Sequence, residues 1–228
     1  MQLDDKDLND MPSRDRAALV NSLSGFKSAN LVGTADAQGM TNLAIMSSAV
    51  HLGSHPPLLA LIVRPGGEER HTLANILATG SYTLNHVTAQ LIEAAHQTAA
   101  RYQRHESEFA ATGLTPQWQD GFAAPMVLEA KVKLCMRLRE HQELSINKTH
   151  LVIGEIVLAD FPEQGLMADG ALDLAQCGTV ALTGLDTYHQ AAPIKRMAYA
   201  KPDLPPRDIG IELPKQQQIL DKNKTGTA

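Results

Sequence analysis

Leu128-Glu-Ala-Lys-Val-Lys-Leu-Cys-Met-Arg-Leu-Arg139 is the stretch on which the fold reading turns. Leu128, Ala130, Val132, Leu134, Met136 and Leu138 alternate with Glu129, Lys131, Lys133, Cys135, Arg137 and Arg139. That is the period-two pattern of a strand with one face in a core and the other in water. At ~3.3 Å per residue the run reaches roughly 40 Å, which suits a coiling barrel strand better than a short flat one.

Working outward, Leu151 to Leu158 is a further strand, and Gly154 inside it marks a bulge or a close backbone approach. Upstream, Leu31 to Ala35 and Met40 to Ala49 flank the turn-forming Asp36-Ala-Gln-Gly39, which predicts a hairpin. His51 to Pro57 reads as a loop because it holds Gly53 and the paired prolines. Leu58 to Val63 is an apolar run without alternation, as in a strand buried on both faces. His71 to Leu77 reads as a helix with Leu73, Ile76 and Leu77 as its apolar stripe, closed by Gly80. Ser81 to Asn85 is a strand, and Thr88 opens a helix through Leu91, Ile92 and Ala95. Near the start, Ser13 is the expected N-cap of a short helix running to Leu23.

Residues 99–125 are turn-rich and form an excursion from this scaffold. Pro202, Pro205, Pro206 and Pro214 give the C-terminal region an extended character. The expected organisation is an N-terminal arm with a short helix over 1–27, a barrel over 28–200 and an extended tail over 201–228. Strands outnumber helices and cluster as hairpins, so the expected class is mainly β with helices. A small antiparallel, Greek-key-like barrel with peripheral helices fits this better than a doubly wound sheet.

Composition narrows the function. The 228 residues are 43% hydrophobic, enough for a core without staples. Twenty basic against 25 acidic residues, a formal charge of −5, leave no basic excess for a nucleic-acid backbone. Cys135 and Cys177 are far apart and in no ligand spacing, so no disulfide framework, cysteine zinc site or other metal is expected. The acidic N-terminus lacks an apolar signal region, and the longest apolar run is too short for a bilayer. The expectation is a cytoplasmic protein with neither a membrane nor a nucleic-acid partner.

Arg64-Pro-Gly-Gly-Glu-Glu-Arg-His-Thr-Leu-Ala-Asn75 is the most chemically suggestive segment. It joins a buried strand to a helix, where free backbone amides and the helix dipole favour a phosphate. Arginine adds forked, charge-assisted hydrogen bonds. Glu68 and Glu69 oppose an anion unless they point outward, and the same spacing fits a solvated loop capped by Thr72. No glycine-rich nucleotide fingerprint, P-loop or Gly-x-Ser-x-Gly elbow occurs.

Four further fragments run in order: Thr41-Asn-Leu-Ala-Ile-Met-Ser-Ser48, Gly53-Ser-His-Pro-Pro-Leu58, Arg70-His-Thr-Leu-Ala-Asn-Ile76 and Gly80-Ser-Tyr-Thr-Leu-Asn85. With His150-Leu-Val-Ile-Gly-Glu-Ile-Val157, this series resembles the flavin reductase-like FMN-binding split-barrel proteins over roughly residues 28 to 200. The resemblance implies a split β-barrel, a homodimer and FMN near the subunit interface. It implies Ser47 and Ser48 along the flavin ring or ribityl chain. Arg64, Arg70, His71 and Thr72 would surround the phosphate, Asn75 would support their loop, and Asn42 is a further cofactor-binding candidate.

His150 is the candidate catalytic residue, placed by the flavin to orient a nicotinamide or donate a hydrogen bond; it also reads as a partly buried strand-edge histidine. Cys135, between Lys133 and Arg137 on the wet face, is either a thiolate favoured by cations or simple packing. The implied activity is hydride transfer from NADH or NADPH to FMN, with free flavin or a monooxygenase partner downstream. The alternatives are a non-catalytic FMN electron carrier and a phosphate-ligand binding protein on the same barrel, for pyridoxal phosphate or haem.

Overall fold

The computed structural model of the chain describes residues 1–66 and 71–211. Two helices, α1 (Asp5–Asp10) and α2 (Ser13–Leu23), lead into β1 (Lys27–Ser28), β2 (Asn30–Ala35), β3 (Thr41–Met46), β4 (Ala49–Ser54) and β5 (Pro57–Val63). Helix α3 (His71–Thr79), β6 (Ser81–His86), a 3₁₀ turn at Ala89–Leu91, α4 (Ile92–Gln97) and α5 (Glu108–Thr112) follow. Then come β7 (Pro116–Gln117), β8 (Met126–Val127), β9 (Lys133–Glu143), β10 (His150–Asp160), β11 (Val180–Thr183) and β12 (Thr187–Gln190). Seven of these strands form one antiparallel sheet in the order β3-β2-β6-β9-β10-β5-β4.

That order has a geometric consequence. Strands β3 and β4 lie at opposite edges of the sheet, yet only Ser47 and Ser48 separate them in the chain. A flat sheet of this width would hold its edges almost 30 Å apart at ~4.8 Å per strand. The three chain steps from Met46 to Ala49 reach at most about 11 Å at 3.8 Å each. The sheet therefore curls until its edges face each other, without closing by strand pairing into a full barrel. Ser48 stitches the link to β5: its carbonyl accepts from the Ile62 amide at 3.3 Å and its hydroxyl donates to the Ile62 carbonyl at 2.6 Å.

The curl leaves an apolar interior on one face of the sheet, where Val32, Leu61, Ile76, Leu84, Met136 and Val152 pack with α3. The other face is covered as well: Leu31, Leu43, Val87, Phe109, Val127 and Leu182 pack there. This double covering explains why every residue of β2 is buried. Glycine at 33 is required by close approach, since a Cβ there would stand 2.5 Å from the Thr83 hydroxyl and nearer still to the Pro125 carbonyl oxygen.

Local signals behave as read in the β2–β3 hairpin. The Asp36 carboxylate accepts from the amides of Gln38 and Met40 at 3.0 and 2.9 Å, and Gly39 adopts φ +84°. Gly80, at φ +68°, closes α3 through its amide on the Ile76 carbonyl at 2.8 Å. Three expectations need correction. Residues 51–54, expected in a loop, belong to strand β4, because pairing with β5 supplies their hydrogen bonds and confines the turn to His55 and Pro56. Pro12, with no side-chain cap bond, stands at the N-cap of α2, and Ser13 is already helical.

The third correction is at β9, which begins at Lys133 after turns over 128–132, so its wet face opens later than the alternation predicts. Cys135 is only 1% exposed, and burial with the nearby Asp160 pushes its thiol up to about 11. The Lys133 amine is buried too, donating to Gln117 Oε1 at 2.9 Å and pairing with Asp160 at 2.9 Å. Cys135 is a packing residue and not a thiolate. Among the described residues no helix is long and apolar enough to cross a membrane, and no group of three or more His, Cys, Asp or Glu is placed to hold a metal ion.

Candidate functional site

A cavity of about 790 Å³ opens at the seam of the curled sheet. Its walls come from the end of β3, the Ser47–Ser48 link, the end of β5, the start of α3, the end of the N-terminal arm and the 98–108 stretch. Asn42, Ser47, Ser48, Arg64, His71 and Thr72 all line it. The topology brings together residues 30 positions apart because β3 and α3 both pack on β2.

Beneath the cavity lies a buried polar network. Asn42 Nδ2 donates to the Thr72 hydroxyl oxygen at 2.9 Å and to the Thr34 hydroxyl oxygen at 3.3 Å. Asn75 Nδ2 donates to the same Thr34 oxygen at 3.2 Å. Because Thr72 Oγ1 accepts here, its own O–H remains able to donate toward the cavity. Asn75 stands one layer down, tying α3 to β2 and facing a second, much smaller cavity shared with Asn42 and His71.

Arg64 belongs to the opposite wall. Its Nη2 donates to Asn21 Oδ1 of α2 at 3.1 Å, and Lys27 lines the same side. Lys27 is held below the usual lysine range, first by burial and then by the Arg64 charge. Arg70 lies outside the described residues, as do Glu68 and Glu69.

His150 is not brought to the cavity. It opens β10 opposite Val63, and its Nδ1 lies 3.0 Å from His141 Nε2, the two rings stacked with centroids 5.2 Å apart.

The excursion over 99–125 and Thr98 just before it contribute residues that sequence reading missed. Thr98, Ala99, Ala100, Arg101, Tyr102 and Glu108 all line the cavity. Strand β3 is a sheet edge, and its outward amides are satisfied from this segment: Leu43 N donates to Glu108 Oε2 and Ile45 N to Thr98 Oγ1, each at 2.9 Å. Glu108 is 6% exposed. Burial pushes its carboxyl up, against the opposing pull of the Leu43 amide and the His71 charge. Three cations, Lys27, Arg64 and Arg101, thus share the cavity wall with one buried carboxylate, a balance suited to an anionic ligand.

The family model for the flavin reductase like domain matches residues 23–173, which contain the sheet and most of the cavity wall. The chain belongs to this family. Its structure is similar to that of a candidate flavin reductase with a split barrel domain from Shewanella frigidimarina NCIMB 400: the two are 50% identical, with a TM-score of 0.85, covering 88% of this chain and 100% of that one. The fold is shared with nitrilotriacetate monooxygenase component B from Bacillus cereus at 21% identity and a TM-score of 0.74, covering 85% and 96% of the two chains. An uncharacterized protein of Aquifex aeolicus is 28% identical over 129 residues, 56% of this chain and 65% of that protein, so the match spans just under two thirds of that relative. In this flavin reductase-like chain the long strands β9 and β10 are the centre of the split barrel and the cavity occupies its split.

Proposed function

We propose that this chain binds FMN non-covalently in the seam cavity and acts as an oxidoreductase that draws hydride from NADH or NADPH. The observation that carries the reading is the cavity itself: about 790 Å³, within the range of cofactor sites, with cations on one wall and a hydroxyl-bearing helix start on another. The residues fit the group. Thr72, its oxygen already occupied by Asn42, is free to donate to a phosphate, and the first turn of the nine-residue α3 leaves backbone amides beside it. Ser47 and Ser48 form a stretch of the seam not paired as a strand, where a flat ring would rest against the Met46 and Ile62 side of the wall.

Bound flavin would supply the two-electron chemistry, and the chain needs only to hold donor and flavin in register and keep water out. Of the four residues expected around the phosphate, His71, Thr72 and Arg70 are assigned to it and Arg64, tied to Asn21 on the opposite wall, is not; Ser47, Ser48 and Asn42 are assigned to the ring and ribityl side, and Asn75 to the floor. Since His150 is stacked on His141 beside the end of β5, its proposed part is to stiffen the strand that carries Arg64, without touching a ligand. Reduced flavin, or its electrons, would pass to free flavin or to a monooxygenase partner, and the working form would be a cytoplasmic homodimer.

The test is an absorption spectrum of the purified protein, repeated anaerobically after adding NADH and then NADPH. Flavin bands that bleach support the reading and name the donor. Bands that bleach only with dithionite would replace it with an electron carrier, and a protein that takes up no added FMN would sink it.

A further inference from the structure

Lys27 and Arg64 stand on one wall of the cavity, and no carboxylate among the described residues pairs with either. Six other described cations, Lys6, Lys133, Lys148, Lys195, Arg139 and Arg196, each meet an acidic partner, and Lys27 and Arg64 are among those that do not. Lys27 Nζ instead donates to two main-chain carbonyls, those of Asn21 at 3.0 Å and Gly184 at 2.9 Å. Arg64 donates to the Asn21 side chain at 3.1 Å. One residue of α2 therefore holds both cations through neutral oxygens, and their mutual repulsion is left to be offset by something that enters the cavity.

This wall is built separately from the one at Thr72. Thr72 is fixed by Asn42 from the β2–β3 hairpin, whereas the Lys27–Arg64 wall is fixed by the N-terminal arm and by the turn after β11. The cavity thus offers two anion-holding places on different elements, and FMN carries a single phosphate.

We propose that Lys27 and Arg64 form a second anion subsite, which takes a phosphate group of the nicotinamide dinucleotide, while Thr72 and the start of α3 take the phosphate of the flavin. This inference rests on the flavin reading above. The chemistry of the subsite is that of a polyanionic phosphate with two neighbouring cations, one a fork and one a point charge. The dinucleotide has two sources of such a group, the pyrophosphate bridge and the 2′-phosphate present only in NADPH.

The experiment titrates inorganic pyrophosphate, NAD⁺ and NADP⁺ into the FMN-loaded protein by calorimetry, and FMN into the flavin-free protein by fluorescence quenching. It compares wild type with Lys27→Met, Lys27→Arg and Arg64→Gln. Loss of one charge-assisted contact is expected to weaken pyrophosphate and NADP⁺ about tenfold in Lys27→Met and Arg64→Gln, with FMN changed less than about twofold. Lys27→Arg should restore most of the loss. Weakening confined to NADP⁺ assigns the subsite to the 2′-phosphate, and equal weakening of NAD⁺ assigns it to the bridge; either supports the proposal.

Weakened FMN with unchanged dinucleotides would give the pair to the flavin phosphate and overturn it. Unchanged affinity for every ligand would overturn it as well. Arg64 is exposed, so Arg64→Gln keeps the test valid if Lys27→Met unfolds the arm. If wild type takes up no FMN at all, the flavin reading fails, while pyrophosphate binding to the same protein still reports on the Lys27 wall.

Discussion

Gly154 and Tyr82 give the sharpest test of the packing on which the split barrel depends. Tyr82 lies on β6, fully buried, and its side chain reaches across β9 to rest on the backbone of Gly154 in β10. A Cβ at 154 would stand 2.8 Å from Tyr82 Cζ and 3.0 Å from Cε1, with the hydroxyl oxygen closer still. Carbon contacts prefer ~3.5–4.0 Å, so the ring must move or β10 must lift. The register of β9 and β10 already shifts between Ile153 and Gly154, which leaves little slack. Overpacking of this kind costs about 3 kcal/mol, the upper part of its usual range. For a chain of this size that lowers Tm by roughly 6–12 °C at ~2–4 °C per kcal/mol.

The Tyr82 hydroxyl also finds no hydrogen-bond partner among the described residues, and burial pushes its pKa far above the usual phenol value. Tyr82→Phe should therefore be neutral or stabilising, by about 1 kcal/mol. Removing the hydroxyl clears the nearest clash and leaves the ring carbons, so Tyr82→Phe/Gly154→Ala should recover at least ~1 kcal/mol of the single-variant loss. Urea unfolding of the four proteins measures the cycle. A silent Gly154→Ala, or strict additivity of the two changes, would show that the ring does not press on β10.

Thr72→Val removes the hydroxyl proposed to meet the flavin phosphate and should weaken FMN about tenfold or more, read by fluorescence quenching; unchanged affinity would withdraw Thr72 from the phosphate site. Glu108 has its carboxyl raised by burial, so its contribution to stability is present below the ordinary carboxylate range and lost as pH rises through the folded-state value. Glu108→Gln keeps an acceptor for the Leu43 amide and should gain Tm over wild type at pH 8 but not at pH 4; an equal change at both would refute the charge argument. His86, its Nδ1 3.2 Å from Thr179 Oγ1, is lowered by burial to about 4. The unfolded chain then binds the extra proton first, so stability should fall by up to about 3 kcal/mol as pH drops from 6.5 to 4, a loss absent in His86→Gln.

Much of the scaffold was legible because its signals are local. The Asp36–Gly39 turn, the glycine after α3 and the apolar run of β5 each encode their conformation within a few residues. Residues 51–54 misled because Gly53 and the prolines speak against a strand locally, while β5 supplies the pairing from outside. Cys135 misled for a related reason: alternation separates two faces but does not tell how much of the second face another segment covers. In the cavity, Asn42, the two serines, Arg64, His71 and Thr72 came from motifs in order, whereas Lys27, Thr98 and Glu108 sit in segments with no period to mark them. Only the curl of the sheet gathers these.

The curl also explains why structure and site are hard to separate here. An open sheet edge is a template for unwanted pairing, and β3 is such an edge. Its outward amides at Leu43 and Ile45 are occupied by Glu108 and Thr98, side chains that at the same time form one wall of the cavity. Truncating either to alanine would strand a backbone donor, at about 1–3 kcal/mol, whatever ligand the cavity holds. Two cations carry no such duty: among the described residues Arg64, on the opposite wall, is anchored through the Asn21 side chain, and no hydrogen bond of the Arg101 guanidinium is found. Arg64 and Arg101, on either side of the seam, are therefore open to changes that retune the second ligand without disturbing the seven-stranded sheet, and selection for a different anionic partner could act there.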